Sequence, residues 1–181
     1  MDKPDGWAFP DPPKTKKKKK KLKEVSITKA EPKLTRKEVA NVLKKAVARR
    51  FIKQRYGVNF ELGINKWGKR RADVVALSVQ GKITIVEVKS CVQDFVTDSK
   101  CDQYLPYANQ LYFAFTGSTW EKLKDRVEFP PEVGVMTYRK TEGLKVVKSS
   151  KKREIETKNL ISIALRLGYR GSKYKDLKDL L

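Results

Sequence analysis

Apolar residues along this chain fall into blocks of two periods, and the blocks alternate. Val39, Val42, Leu43, Ala46, Val47 and Phe51 recur at steps of three and four, the spacing of one helix face. Thr35-Arg-Lys-Glu38 ahead of them reads as a capping box, so a helix is predicted from there to about Tyr56, stopping at Gly57. Val58 to Ile64 reads as a strand, and Asn65 to Arg70 as a basic turn. From Arg71 to Ser90 the pattern predicts a hairpin turning at Gln80-Gly81-Lys82. Its arms, Val74-Val75-Ala76-Leu77 and Ile83 to Val88, are apolar at successive positions, as in central strands covered on both faces. Asp94 to Tyr107 is expected to be a helix with Phe95 and Tyr104 packed inward. Gln110 to Thr116 is expected to be a buried strand. Ser118-Thr-Trp-Glu121 reads as the cap of a short helix. Val133 to Tyr138 and Leu144 to Val147 read as strands around a Glu142-Gly143 turn, and Thr157 to Leu167 as a last helix. Periodicity alone thus predicts an α/β domain without internal repeats.

Charge adds a second layer. The 181 residues carry 42 Lys and Arg against 21 Asp and Glu, a formal net charge of +21. An excess of that size favours a polyanionic partner, with nucleic acid the commonest. Residues 1–34 combine Pro4, Pro10, Pro12, Pro13 and Pro32 with the run Lys16, Lys17, Lys18, Lys19, Lys20 and Lys21, and they lack an apolar period. They are read as a disordered basic arm that holds backbone phosphates. Residues 35–150 form the expected α/β domain, and residues 151–181 a helix and tail that pack on it or extend it.

The chain contains no histidine. Ser-His-Asp hydrolysis, histidine-ligated zinc and histidine-based RNA cleavage are therefore excluded. Cys91 and Cys101 are the only cysteines and form no Cys-x-x-Cys pair, so they are read as reduced, incidental thiols. The N-terminal stretch is polar and proline-rich, and no apolar run reaches the length of a membrane span. A cytoplasmic protein of a bacterium, or of a phage infecting one, is the expectation, with no membrane contact.

What chemistry remains belongs to carboxylates and lysine. Glu87 and Lys89 lie two apart on a predicted strand and so project to one face. Folding the hairpin brings Asp73 roughly opposite Glu87. Two carboxylates and a lysine then converge at the end of apolar central strands, where an unpaired charge is costly. Such a set suits Mg²⁺, which takes hard oxygen ligands and keeps several waters, and Mn²⁺ is able to substitute. Asp73 and one Glu87 oxygen are the expected ligands, and Lys89 is expected to orient the attacking water and offset phosphate charge. Glu61, in the preceding strand, is an alternative further ligand. Lys66, Lys69, Arg70 and Arg71 surround Trp67 in the turn leading to Asp73, the make-up of a DNA clamp with a base-stacking ring.

The ordered set Arg-Arg-Ala-Asp73-Val, Ile-Val-Glu87-Val-Lys89-Ser, Asp94-Phe95, Asp98-x-Lys100, Tyr104 and Leu111-Tyr-Phe-Ala114 resembles the PD-(D/E)XK nuclease superfamily. The likeness is closest to its MmcB-like DNA-repair branch and covers about residues 36–148, with Ala72 where the superfamily's name has proline. It implies a restriction-endonuclease-like αβββαβ core with a mixed central sheet flanked by helices. It adds the Val88 carbonyl as a metal ligand, Glu38 on the first helix as another candidate ligand, and Lys100 and Tyr104 as secondary residues that reach phosphate or the carboxylates. The function expected is that of a Mg²⁺-dependent deoxyribonuclease, an endonuclease or repair nuclease. The alternative is a non-catalytic DNA-binding protein on the same fold. The sequence leaves the oligomeric state open, and a homodimer is compatible with it.

Overall fold

The computed structural model describes residues 34–65, 70–96 and 101–171. The chain divides into two units, Met1–Pro32 and Lys33–Leu181, and the first lies outside the described residues. The second is built on a six-stranded sheet with strands in sequence order: β1 (Gly57–Gly63), β2 (Arg71–Leu77), β3 (Ile83–Lys89), β4 (Gln110–Thr116), β5 (Val133–Arg139) and β6 (Gly143–Lys148). β1, β2 and β3 are antiparallel neighbours, β3, β4 and β5 run parallel, and β6 returns antiparallel to β5. The sheet is therefore mixed and open, with helix α1 (Arg36–Lys53) ahead of β1 and α2 (Val92–Val96) between β3 and β4. The order helix, three strands, helix, strand expected for the core is present.

Each face of the sheet has its own core. On one, Leu43, Val47 and Phe51 of α1 pack on Val74, Ala76, Val86, Val88, Tyr112, Ala114 and Met136. Leu43 and Val47 are fully buried, and removing each such side chain from water is worth about 1.5–3 kcal/mol. The capping box forms as read: Thr35 accepts from the Glu38 amide, and the Glu38 carboxylate accepts from the Thr35 amide. On the other face, Ile83, Ile85, Leu111, Phe113, Phe115, Val133 and Val135 are covered by α2, α3 (Gly117–Leu123) and α4 (Thr157–Gly171). Phe95, Phe113, Phe115, Trp120 and Phe129 form an aromatic cluster there, with Phe95 and Phe129 centroids 5.1 Å apart. β3 lies between both cores, and all seven of its residues are buried. Arg166 and Arg170 of α4 donate to the carbonyls of Gly63 and Phe60, closing part of the open β1 edge. Among the described residues no helix is long and apolar enough to cross a membrane.

The structure departs from the sequence reading in several local features. α1 ends at Lys53, and Arg55 rather than Gly57 takes the left-handed turn, at φ 63°. Of the helix expected over Asp94 to Tyr107, the described residues show one turn of α-helix, Val92–Val96, and two 3-10 turns, Cys101–Gln103 and Leu105–Tyr107, while residues 97–100 lie outside them. Pro106 sits in the first turn of Leu105–Tyr107, where its missing amide costs no helical hydrogen bond. The cap of α3 is Thr116, whose hydroxyl accepts from the Thr119 amide, two residues before the expected Ser118.

Candidate functional site

β1, β2 and β3 line up three carboxylates across adjacent strands. Between the pairs Phe60–Val74 and Leu62–Ala72, Glu61 stands opposite Asp73. The β2–β3 ladder closes with Val74–Val86, and one step further Asp73 stands opposite Glu87. There side chains replace the backbone ladder. The Asp73 amide donates to Glu87 Oε1 at 3.1 Å, and the Val88 amide donates to Asp73 Oδ2 at 2.9 Å. The two carboxylates thus hold each other's strand ends in register. Glu87 is 5% exposed and Lys89 7%. Lys89 lies with its ammonium 5.5 Å from the centre of the Phe113 ring, within cation–π range.

Glu61 is held in an uncommon backbone conformation. Its φ of 51° lies in the left-handed region, which a non-glycine residue enters at a cost of about 1–3 kcal/mol. The two strands also change face here: Val58 and Val74 pack with α1, whereas Leu62, Ile64 and Ala72 belong to the opposite core. The strain turns Glu61 toward Lys44 of α1 and away from an ordinary strand position.

Lys44 is the functional-site residue that sequence reasoning missed. Its ammonium pairs with Glu61 Oε1 and lies 2.9 Å from Asp73 Oδ1, while Arg71 Nε lies 3.1 Å from Glu61 Oε2. Burial works against the Lys44 charge, but hydrogen bonds and charge contacts with Glu61 and Asp73 outweigh it and hold the ammonium pKa above the usual lysine value. Burial likewise works to raise the Glu61 carboxyl, yet the hydrogen bond and charge of Lys44, with Arg71 adding to them, hold it below the usual carboxylate range. The signal was present in the helix pattern. Ala40, Lys44, Val47 and Phe51 share one stripe, so a lysine occupies a position where the helix is otherwise apolar.

Other sequence-predicted residues fall elsewhere. Glu38 is engaged in its cap, Oε2 accepting from the Thr35 amide and hydroxyl at 2.8 Å, so Glu61 is the candidate that the fold brings to Asp73. Tyr104 is buried, and its hydroxyl donates to the Arg71 carbonyl at 3.3 Å. That bond ties it to the entry of β2. Arg70 and Arg71 are exposed beside the carboxylate row. Lys66, Trp67, Lys69, Lys100 and the run from Lys16 to Lys21 lie outside the described residues. After β3, the Ser90 hydroxyl donates to Asp94, and this bond holds the Asp94 carboxyl below its usual range against the opposing effect of burial.

Among the described residues no group of three or more acidic or cysteine side chains stands ready to hold a metal ion. Lys44 and the amides of Asp73 and Val88 already engage the oxygens of the row. The donors nonetheless suit Mg²⁺, which is commonly bound through one or two carboxylates with waters and substrate phosphate completing its shell. One carboxylate offers about four acceptor positions, so a carboxylate that accepts a hydrogen bond can still ligate an ion.

Comparison with known proteins gives a fold and a family. Among solved structures the chain is similar to SPO1766, a protein of unknown function from Silicibacter pomeroyi. The two share 20% identity and a TM-score of 0.62 over 72% of this chain and 84% of that one. None of the curated proteins matches significantly. The family model described as DNA repair protein MmcB-like matches residues 28–166, a span that includes α1, the whole sheet and every residue of the carboxylate row. By that match the chain belongs to the MmcB-like family of DNA repair proteins.

Proposed function

We propose that this protein is a Mg²⁺-dependent deoxyribonuclease of the PD-(D/E)XK kind, acting in DNA repair. The observation that carries the reading is the pairing of Asp73 with Glu87 on adjacent strands, with a buried Lys89 two residues on. A fold gains little from burying a carboxylate and a lysine at one strand end, since each is costly to desolvate. Asp73, Glu87 and the Val88 carbonyl are the groups to hold the ion, with Glu61 at the rim of the set. When bound, the ion supplies the Lewis acidity that phosphodiester hydrolysis needs at neutral pH in a chain without histidine. The protein's own groups do the rest. Lys89 orients the attacking water and offsets charge on the phosphate, and Arg70 and Arg71 hold the backbone on either side. In the net reaction water oxygen bonds to phosphorus, one P–O ester bond breaks, and the leaving oxygen takes up a proton.

The test is nicking of supercoiled plasmid with Mg²⁺, Mn²⁺ or EDTA. Cleavage is expected only with divalent ion. Asp73→Asn and Glu87→Gln keep the shape of each side chain and are expected to lose about a hundredfold or more in rate while DNA binding persists. Undiminished cleavage by Glu87→Gln overturns the assignment. The second reading, a DNA-binding protein that does not cut, draws on Lys44, which already balances the charge of Asp73 and Glu61. Binding without cleavage under every metal condition would select it.

A further inference from the structure

α1 has a second charged flank that the carboxylate site does not use. At 100° per residue, Lys44 and Lys53 lie about half a turn apart in projection, so they face opposite sides of the helix. Lys44 reaches β1 and β2. On the other flank, Arg49, Arg50, Lys53 and Gln54 line a groove of about 440 Å³ whose far wall is Tyr138 and Leu144 of the β5–β6 hairpin. Arg49 and Lys53 are exposed and Arg50 is half-buried. Among the described residues no acidic side chain lines the groove and none is paired with these three cations. This contrasts with the neighbouring Arg139 and Lys145, which pair with Glu121 and Glu142.

Basic residues at a helix C-terminus are favoured by its dipole, and that would explain one or two charges directed at the last carbonyls. It does not explain three cations converging on one concave surface beside a tyrosine, where they repel one another. Such a surface is balanced by an anion that carries several charges at fixed spacing.

We propose that this groove is a second nucleic-acid contact that takes backbone phosphates of DNA, distinct from the carboxylate row and from the basic turn before β2. The inference rests on the DNA-directed reading above. The groove then serves for positioning. Phosphate contacts fix register without reading sequence, so the duplex is anchored across α1 while the reacting strand lies at Asp73 and Glu87.

The experiment compares two full-length triple variants of equal charge change. In Arg49→Gln/Arg50→Gln/Lys53→Gln the groove is neutralised. In Lys122→Gln/Lys151→Gln/Lys152→Gln three exposed lysines elsewhere are removed. Binding of a fluorescein-labelled 20-base-pair duplex is measured by anisotropy across a salt series in EDTA, with thermal melts to verify folding. The groove variant is expected to bind at least tenfold more weakly. Its slope of log Kd against log salt should be shallower by about two to three, near 0.9 for each phosphate that the protein no longer neutralises. The surface variant is expected to keep a slope close to wild type. Equal weakening in both variants, or an unchanged slope in the groove variant, overturns the proposal and leaves the DNA-directed reading standing. Should the groove variant unfold, the exposed single change Lys53→Glu carries the same comparison against Lys152→Glu. Mg²⁺-dependent nicking, assayed in parallel, separates the readings in the other direction. A groove that sets the salt slope in a protein that never cuts supports this contact and refutes the nuclease.

Discussion

Replacing Lys44 by methionine removes one charge and almost no volume, and its consequences follow from the carboxylate row. Lys44 is the cation between Glu61 and Asp73, with side-chain exposures of 17%, 36% and 23% for the three. An exposed ion pair contributes about 0.2–1 kcal/mol, whereas breaking a buried one by removing a single partner costs about 3–5. The Lys44 network is part-buried, and its loss leaves two carboxylates facing each other beside buried Glu87. A destabilisation of about 2 kcal/mol is therefore expected in EDTA, or about 4–8 °C in Tm for a chain of this size. A double-mutant cycle with Glu61→Gln should give a coupling energy of about 1 kcal/mol, because the second change removes a charge that the first leaves unbalanced. Mg²⁺ should then compensate. At ten times its Kd, a ligand bound only to the folded state contributes about 1.4 kcal/mol, so the variant is expected to recover most of its loss in Mg²⁺ while wild type gains less. Urea melts with and without Mg²⁺ measure all three quantities. A Lys44→Met protein as stable as wild type in EDTA, or a coupling energy of zero, refutes the claim that Lys44 holds the row together. Destabilisation without recovery in Mg²⁺ counts against the row as a cation site.

Two further predictions concern the scaffold. Gly134→Ala in β5 places a Cβ 2.3 Å from the Tyr112 ring and 2.6 Å from the Ser150 backbone nitrogen, so a loss of about 3 kcal/mol is expected in thermal or urea melts. Asp94→Asn removes a carboxylate whose folded-state pKa is depressed, chiefly by the Ser90 hydroxyl. Asp94 therefore stabilises above the unfolded value of 3.8 and loses that contribution as pH falls through the lower folded value, so stability of the variant should fall less steeply below about pH 4 in urea melts.

The central strands were the most legible part of the chain, because burial on both faces leaves a run of apolar residues that no other element of that length produces. The hairpin turn was equally plain, since Gly81 supplies the φ of 75° the connection needs. Asp73 and Glu87 could be brought together on paper because register in a short hairpin follows from its turn. Features that depend on tertiary contact were not legible. Nothing local marks Glu61 for a left-handed conformation, and Arg55 adopts one where a glycine two residues later was the obvious candidate. Lys44 was passed over because counting apolar positions on α1 hides the polar residue that shares their stripe. In the segment after β3, Phe95 and Tyr104 pack into the core as their apolar character implies, while the 3-10 turns at Cys101–Gln103 and Leu105–Tyr107 have no periodic signature to announce them.

β3 carries the two residues nearest the proposed chemistry and has no exposed position. A strand of that kind has no silent sites, so drift in its sequence is filtered first for folding and only then for activity. Inherited variation in what such a protein recognises is therefore channelled to the periphery, to the turn before β2, the β1 edge and the outer flank of α1. Lineages of this fold should diverge in the DNA they engage long before they diverge in the strand nearest the chemistry. Laboratory selection for altered substrate preference would gain most from libraries confined to those outer surfaces.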